Sequence, residues 1–185
     1  MTRWMVAVIM VIALVALAGR DETRPIAAAI LALAGAASLA WFAAALRRRA
    51  RQRTLDRLRA MTPAAFERTV AAWFAREGWL VEHRGRSGDH GIDVLAFRGR
   101  ETVAVQCKRY AGAASVTPAQ LRELYGAAVA AGATGALMVT TGRVSRAAAA
   151  WAANLPGTPA QLDVIAGDQL EAIAAGRRRI AAGDD

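Results

Sequence analysis

The sequence predicts a mixed α/β sandwich preceded by a hairpin of two apolar helices. Three observations carry that expectation. Two uncharged apolar runs fill residues 4–18 and 26–46. From Met61 onward the uniform apolarity gives way to short helical and strand-like patterns punctuated by glycine and proline. Those patterns follow the order α-β-β-β-α-β-α-β-α, which implies a mixed sheet with helices on its faces. A chain of 185 residues holds one domain of about 100 to 200 residues and something extra.

The extra part comes first. Residues 1–46 read as a transmembrane hairpin, with IAAAILALAGAASLAWFAAAL long enough to cross a bilayer core. The earlier run, WMVAVIMVIALVALA, falls short of the usual span of about 17 to 25 residues. It also carries a signal-peptide pattern, with Arg3 ahead of the apolar core and Ala16-Leu17-Ala18 before Gly19. Residues 47–60, RRRARQRTLDRLRA, read as a basic juxtamembrane linker whose arginines belong on the cytoplasmic side. The expectation is a protein of the inner (plasma) membrane, in contact with the lipid bilayer, whose distal domain faces the cytoplasm. Neither apolar run has a polar face, which speaks against two buried helices of a soluble bundle.

Charge follows the same division. The net charge is +9, yet ten arginines and three acids precede Met61, while fourteen basic and twelve acidic residues follow. The distal domain is thus only +2. Basicity describes a membrane flank and does not by itself establish nucleic-acid binding. A single cysteine, Cys107, excludes an intrachain disulfide and a multi-cysteine zinc site.

Residues 61–185 then supply the domain. Thr62-Pro63 caps a first helix, in which Phe66, Val70, Trp73 and Phe74 recur at helical spacing until Gly78. WLVEH reads as a strand, RGRSGDHG as a loop, and IDVLAF and TVAVQCKR as strands flanking RGRE. Thr117-Pro118 opens a helix ending at Gly132, GALMVTTG is a strand, and Ser145 begins an alanine-rich helix. QLDVIAG is the last strand, Asp168 is expected to cap the closing helix, and GRRRIAAGDD reads as a frayed tail.

Lys108 is the only lysine, against 23 arginines. In a strand, Ala104, Gln106 and Lys108 share one face while Val103, Val105 and Cys107 share the other, which makes Cys107 a core residue. A turn at Gly99-Arg100 pairs Arg98 with Glu101, and counting back from that pair sets Asp93 opposite Gln106. An acid, an amide oxygen and the one ammonium then converge. Such a patch suits phosphodiester hydrolysis: Asp93 and the Gln106 carbonyl can hold a hard cation such as Mg²⁺. Lys108 can orient or deprotonate a water, or offset charge building on phosphorus. Arginine cannot give up a proton in this way, which is a physical reason to retain lysine. The competing reading is an incidental Asp and Lys pair on a solvated hairpin.

TPAAFERTVAAWFAREGW, SGDHGIDVLAF, VAVQCKRY and LMVTTGRVSRAAAAWA occur in that order with characteristic gaps. Together they resemble the catalytic domain of Mrr-like restriction endonucleases, a branch of the PD-(D/E)xK nuclease superfamily, over residues 62–170. The resemblance implies a restriction-endonuclease-like fold and a Mg²⁺-dependent DNA endonuclease, with Mn²⁺ as an alternative ion. It implies catalytic roles for Glu67, Asp93, Gln106 and Lys108, with Asp93, Gln106 and Glu67 toward the metal. Glutamine commonly replaces glutamate at this position of the family, and it lowers the negative charge offered to a second ion. Read alone, Glu67 could equally favour the helix macrodipole. Asp89 and His90 fit a turn, and Thr140, Thr141 and Ser145 fit either a phosphate site or ordinary capping.

Arg84, Arg86, Arg98, Arg100 and Arg109 are the expected backbone contacts to DNA. There is no room for a separate DNA-reading domain, so sequence-specific cutting is not expected. Cutting both strands would call for two sites and hence a homodimer. The alternatives are a DNA-binding module of the same fold that has lost its chemistry, or a membrane-bound adaptor that binds protein.

Overall fold

Apolar periodicity and capping residues set the helices of this chain, and a computed structural model describes residues 8, 11, 12, 24–84, 91–155 and 159–180. The chain divides into two units, Met1–Ala50 and Arg51–Asp185. Helix α1 (Arg24–Ala60) contributes to both. Apart from residues 8, 11 and 12, the first apolar run lies outside the described residues, and so does the hairpin expected there. Among the described residues one helical stretch, Ala28–Ala60, is long and apolar enough to cross a membrane. Its most apolar 18-residue window has a mean hydropathy of 2.0 and no buried residue, and Leu33, Leu39, Trp41 and Phe42 are exposed in the first unit.

The second unit starts ten residues earlier than the composition suggests. Residues 51–60, expected as linker, are helical, and Leu55 and Leu58 are buried in the core beside Phe66, Val70, Trp73 and Phe74. Leu55 and Leu58 lie three apart and so share one helix face, and that face packs on the domain although its neighbours are arginines.

Helix α2 (Pro63–Arg76) starts where Thr62 Oγ1 accepts the Ala65 amide at 3.2 Å with proline at the first helical position. Strands β1 (Leu80–His83), β2 (Val94–Arg98) and β3 (Glu101–Lys108) form an antiparallel meander. After β4 (Ser115–Val116) comes helix α3 (Pro118–Ala130), closed at its start by a capping box of Thr117 and Gln120. Strand β5 (Gly135–Thr140), β6 (Arg143–Val144), helix α4 (Arg146–Ala153), β7 (Gln161–Ile165) and helix α5 (Gly167–Ala174) complete the order.

The main sheet runs β1-β2-β3-β5-β7, with β5 and β7 parallel to β3. The mixed α/β class and the expected order of the principal elements agree with this arrangement. The β4–β6 parallel pair was not foreseen, because two residues each carry no readable period. Asp168 does not cap α5: Ala166 holds that position, and Asp168 pairs with Arg51 from the first helical turn. The tail is not wholly frayed either. Ile180 is buried and its amide donates to Glu77 Oε1 at 2.7 Å, while residues 181–185 lie outside the described residues.

Two apolar clusters cover the sheet. On one side Val94, Ala96, Val105, Leu137 and Val139 meet α2, α5 and the end of α1. On the other, Leu95, Ala104, Ala136 and Met138 meet α3 and α4. Strand β3 alternates between them as expected, with Val103 and Cys107 on the first side and Ala104 on the second.

Candidate active site

The β2–β3 register begins at the Arg98↔Glu101 turn pair and runs to Val94↔Val105, as the turn position requires. There the ladder stops, one position short of the direct Asp93–Gln106 pair that the sequence suggests. The Asp93 amide instead donates to Val105 O at 2.9 Å, and its carboxylate Oδ2 accepts the Cys107 amide at 2.7 Å. Asp93 is therefore bonded to the residues on either side of Gln106. Its own carbonyl accepts the Arg84 amide at 2.9 Å, so the residue that follows β1 holds it from the far side.

Lys108 ends β3 opposite Thr140. Thr140 Oγ1 donates to the Lys108 carbonyl at 2.8 Å and accepts the Gly142 amide at 2.9 Å. The Thr141 amide also donates to Lys108 O at 3.2 Å, and Thr141 Oγ1 accepts the Tyr110 amide at 2.8 Å. Both threonines are buried and serve as clamps on the strand that carries the lysine. Ser145 Oγ accepts the Ala148 amide at 3.1 Å, an ordinary helix cap. The capping alternative for these three residues is the one these backbone bonds describe.

Electrostatics ties Glu67 to this place. Burial raises the Glu67 carboxyl above its ordinary value, and the neighbouring Asp93 charge adds to the rise; His83 and Arg68 oppose it. Asp93 is likewise raised by burial, against the Cys107 amide and Lys108, which favour its ionised form. Burial, then the Asp93 and Glu67 charges, push the Cys107 thiol well up, so it stays protonated as a packing group. His83, which pairs with Val94 at the end of β1, belongs to the same electrostatic neighbourhood and was not singled out from sequence. The signal for it was the pairing of WLVEH with IDVLAF.

Gln106 is 3% exposed, and its Oε1 is buried without a hydrogen-bond partner among the described residues. Its Nε2 lies against Gly91: a Cβ built there would stand 2.7 Å from that nitrogen and 3.6 Å from Glu123 Oε1. Gly91 also has φ +82°, so this position suits glycine on two counts. Among the described residues no three His, Cys, Asp or Glu side chains form a metal site by themselves. The donors available are the Asp93 and Glu67 carboxylates and the orphaned Gln106 oxygen, all hard oxygen ligands. They fit a divalent cation that keeps part of its water, and its charge would offset the cost of two desolvated acids.

The arginines sort differently from expectation. Arg98 and Arg100 lie at the hairpin turn, roughly 23 Å along the strands from Lys108 at about 3.3 Å per residue. Arg98 is engaged there with Glu101 at 3.3 Å and with the Trp79 ring at 4.4 Å. Arg109 turns inward, its Nη1 donating to Arg59 O at 3.2 Å. Arg84 remains beside Asp93 and pairs with Glu82 at 3.2 Å. Arg86, Asp89 and His90 lie outside the described residues.

The catalytic-domain model of Mrr-type restriction endonucleases matches residues 58–174. The chain belongs to the Mrr-type restriction endonuclease family. That family comprises restriction endonucleases, nucleases that act on DNA and generally use divalent cations. Among solved structures, the chain is similar to the DNA modification-dependent restriction endonuclease AspBHI. The two are 17% identical with a TM-score of 0.53, over 70% of this chain and 36% of that one. It is also similar to the protein of unknown function AF1548, at 16% identity and a TM-score of 0.45, over 60% of this chain and 65% of that one. The chain thus spans about a third of the length of AspBHI, and the likeness bears on fold alone. No curated protein matches the chain.

Proposed function

We propose that this protein is a membrane-anchored, divalent-metal-dependent DNA endonuclease that hydrolyses phosphodiester bonds through Glu67, Asp93, Gln106 and Lys108. The observation that carries the reading is the strand-end arrangement around Asp93. Its backbone and carboxylate bond to both neighbours of Gln106, while Gln106 keeps a buried oxygen without a partner among the described residues. Mg²⁺ or Mn²⁺ held there would polarise the phosphate and lower the pKa of a bound water.

The chain's own residues supply the rest. Asp93 and Glu67 hold negative charge in a partly desolvated place and so favour a cation. The Gln106 oxygen adds a neutral ligand, and the amide is set in orientation by the packing of its Nε2 against Gly91. Lys108, on a clamped strand end, offers a movable ammonium that can orient the attacking water or stabilise charge on phosphorus.

Anchoring rests on the 18-residue window of mean hydropathy 2.0 in α1 and on the arginines that follow it. Positive charge on that flank favours the cytoplasmic side of the membrane for the nuclease domain.

The test is cleavage of supercoiled, linear and methylated DNA by the full chain with Mg²⁺ or Mn²⁺, beside Asp93→Ala and Lys108→Ala. Metal-dependent cutting lost in both variants supports the proposal. Salt-sensitive DNA binding without cleavage on any substrate would make the domain a binding module instead. Carbonate-resistant membrane association of the full chain checks the anchor, and its release at high pH would remove that part of the reading.

A further inference from the structure

The last turn of α1 is bonded into the strand end that carries Lys108. Arg59 Nε donates to Thr141 O at 3.3 Å, and the Arg59 carbonyl accepts Arg109 Nη1 at 3.2 Å. Thr141 in turn holds the lysine's backbone. Its amide donates to Lys108 O at 3.2 Å, and its hydroxyl accepts the Tyr110 amide at 2.8 Å and donates to Tyr110 O at 3.1 Å. Two short routes thus join Arg59 to the Lys108–Tyr110 backbone, one through Thr141 and one through Arg109. One face of the same helix is seated by Leu55 and Leu58, which are 8% and 4% exposed. Asp56 Oδ1 steadies the Arg59 guanidinium from within the helix at 3.3 Å.

We infer that Arg59 is a positioning residue for Lys108, and that the seating of the last turns of α1, residues 51–60, within the second unit sets the activity of the site. The inference rests on the nuclease reading above. Lys108 is the last residue of β3, and beyond it the chain leaves the sheet, where backbone amides open most easily. A lysine on a four-carbon stem there needs its backbone fixed to within about 0.5 Å for its ammonium to be placed productively. The threonines supply that on the β5 side, and Arg59 fixes Thr141 in turn. A guanidinium can bond Thr141 O through Nε and Asp56 through Nη1 at once, because its donors are fixed in a plane. An ammonium is a single point charge and cannot reproduce both directions. Any shift of residues 55–59 is therefore felt at the lysine.

The experiment uses the full chain in detergent or nanodiscs, with Arg59→Ala, Arg59→Lys and the control Arg57→Ala, an exposed arginine whose loss removes the same charge. In Arg59→Ala, kcat should fall roughly 10- to 100-fold with KM within about twofold of wild type. Arg59→Lys should recover part of the loss, and Arg57→Ala should match wild type. Exchange of the Tyr110 amide, the donor to Thr141, should speed up about tenfold or more in Arg59→Ala, while the Val105 amide stays as protected as before. The partly restored Arg59→Lys protein keeps the comparison open if Arg59→Ala does not fold.

Unchanged Tyr110 exchange in Arg59→Ala would overturn the inference at any level of activity. A raised KM with unchanged kcat, shared by Arg59→Ala and Arg57→Ala, would also overturn it and make Arg59 a DNA contact. If the wild-type chain cuts no DNA, the nuclease reading falls, and amide exchange alone decides whether Arg59 holds the strand end.

Discussion

The Asp93 carboxylate accepts the Cys107 backbone amide at 2.7 Å, across two strands whose regular pairing has just ended. That bond holds an acid at the site in spite of the desolvation that raises it, and it also separates what Asp93 does for the fold from what it does for chemistry.

Asp93→Asn should therefore divide stability from activity. Asparagine keeps an oxygen for the Cys107 amide but removes a buried charge. At neutral pH the variant should be more stable by about 0.5–2 kcal/mol and less active by about 10²- to 10⁴-fold. Urea unfolding and initial cleavage rates, measured side by side, check both halves. Mg²⁺ should raise the melting temperature of wild type and leave that of the variant unmoved.

Stability and activity should also move in opposite directions with pH. Both Glu67 and Asp93 are raised above their ordinary values of 4.5 and 3.8. The folded state then holds more protons than the unfolded one in the window just above those values. Their contribution to stability is full below the ordinary values and is lost as pH rises through the folded ones. Ionised carboxylates bind the cation, so cleavage should instead rise through the same window. Parallel profiles of melting temperature and kcat test the divergence, provided the Asp93→Asn profile shows a smaller fall in stability.

Gly91→Ala should damage the site by two routes. The backbone stands at φ +82°, and the new methyl would meet Gln106 Nε2 at 2.7 Å. Stability should drop by about 1–3 kcal/mol. The Gln106 amide should also turn away, weakening Mn²⁺ affinity as read by titration. A variant that keeps wild-type affinity would show that Gln106 is not held by this contact.

Leu58→Ala should cost about 2–5 kcal/mol, the range for deleting a fully packed leucine. Denaturant unfolding of a chain beginning at Arg51 would measure it. The same chain should be more stable than one beginning at Met61, which lacks both Leu55 and Leu58. Equal stabilities would mean that the end of α1 is dispensable to the fold.

Much of the domain was legible because local chemistry agreed with the final arrangement. Thr62-Pro63 and Thr117-Pro118 mark helix starts, and the Gly99-Arg100 turn fixes the β2–β3 register. The solitary Lys108 marks β3 in the sequence. The errors came where tertiary contacts override composition. Residues 51–60 look like a solvated basic linker because arginines dominate them, yet two leucines three apart suffice to seat the helix. Arg98 and Arg109 are both expected around the site, whereas Arg98 lies at the far hairpin turn against Trp79 and Arg109 bonds the Arg59 carbonyl.

The amino-acid order by itself determined the sequence of elements, the faces of β3 and the membership of Asp93, Gln106 and Lys108 in one strand-end neighbourhood, because pleat and turn geometry act between near neighbours along the chain. Only the tertiary structure decided that Asp93 leaves the ladder to cap Cys107, that the Gln106 oxygen is buried without a partner among the described residues, and that Arg59 reaches Thr141. These depend on side chains that are distant in sequence and meet through packing, which no local period encodes.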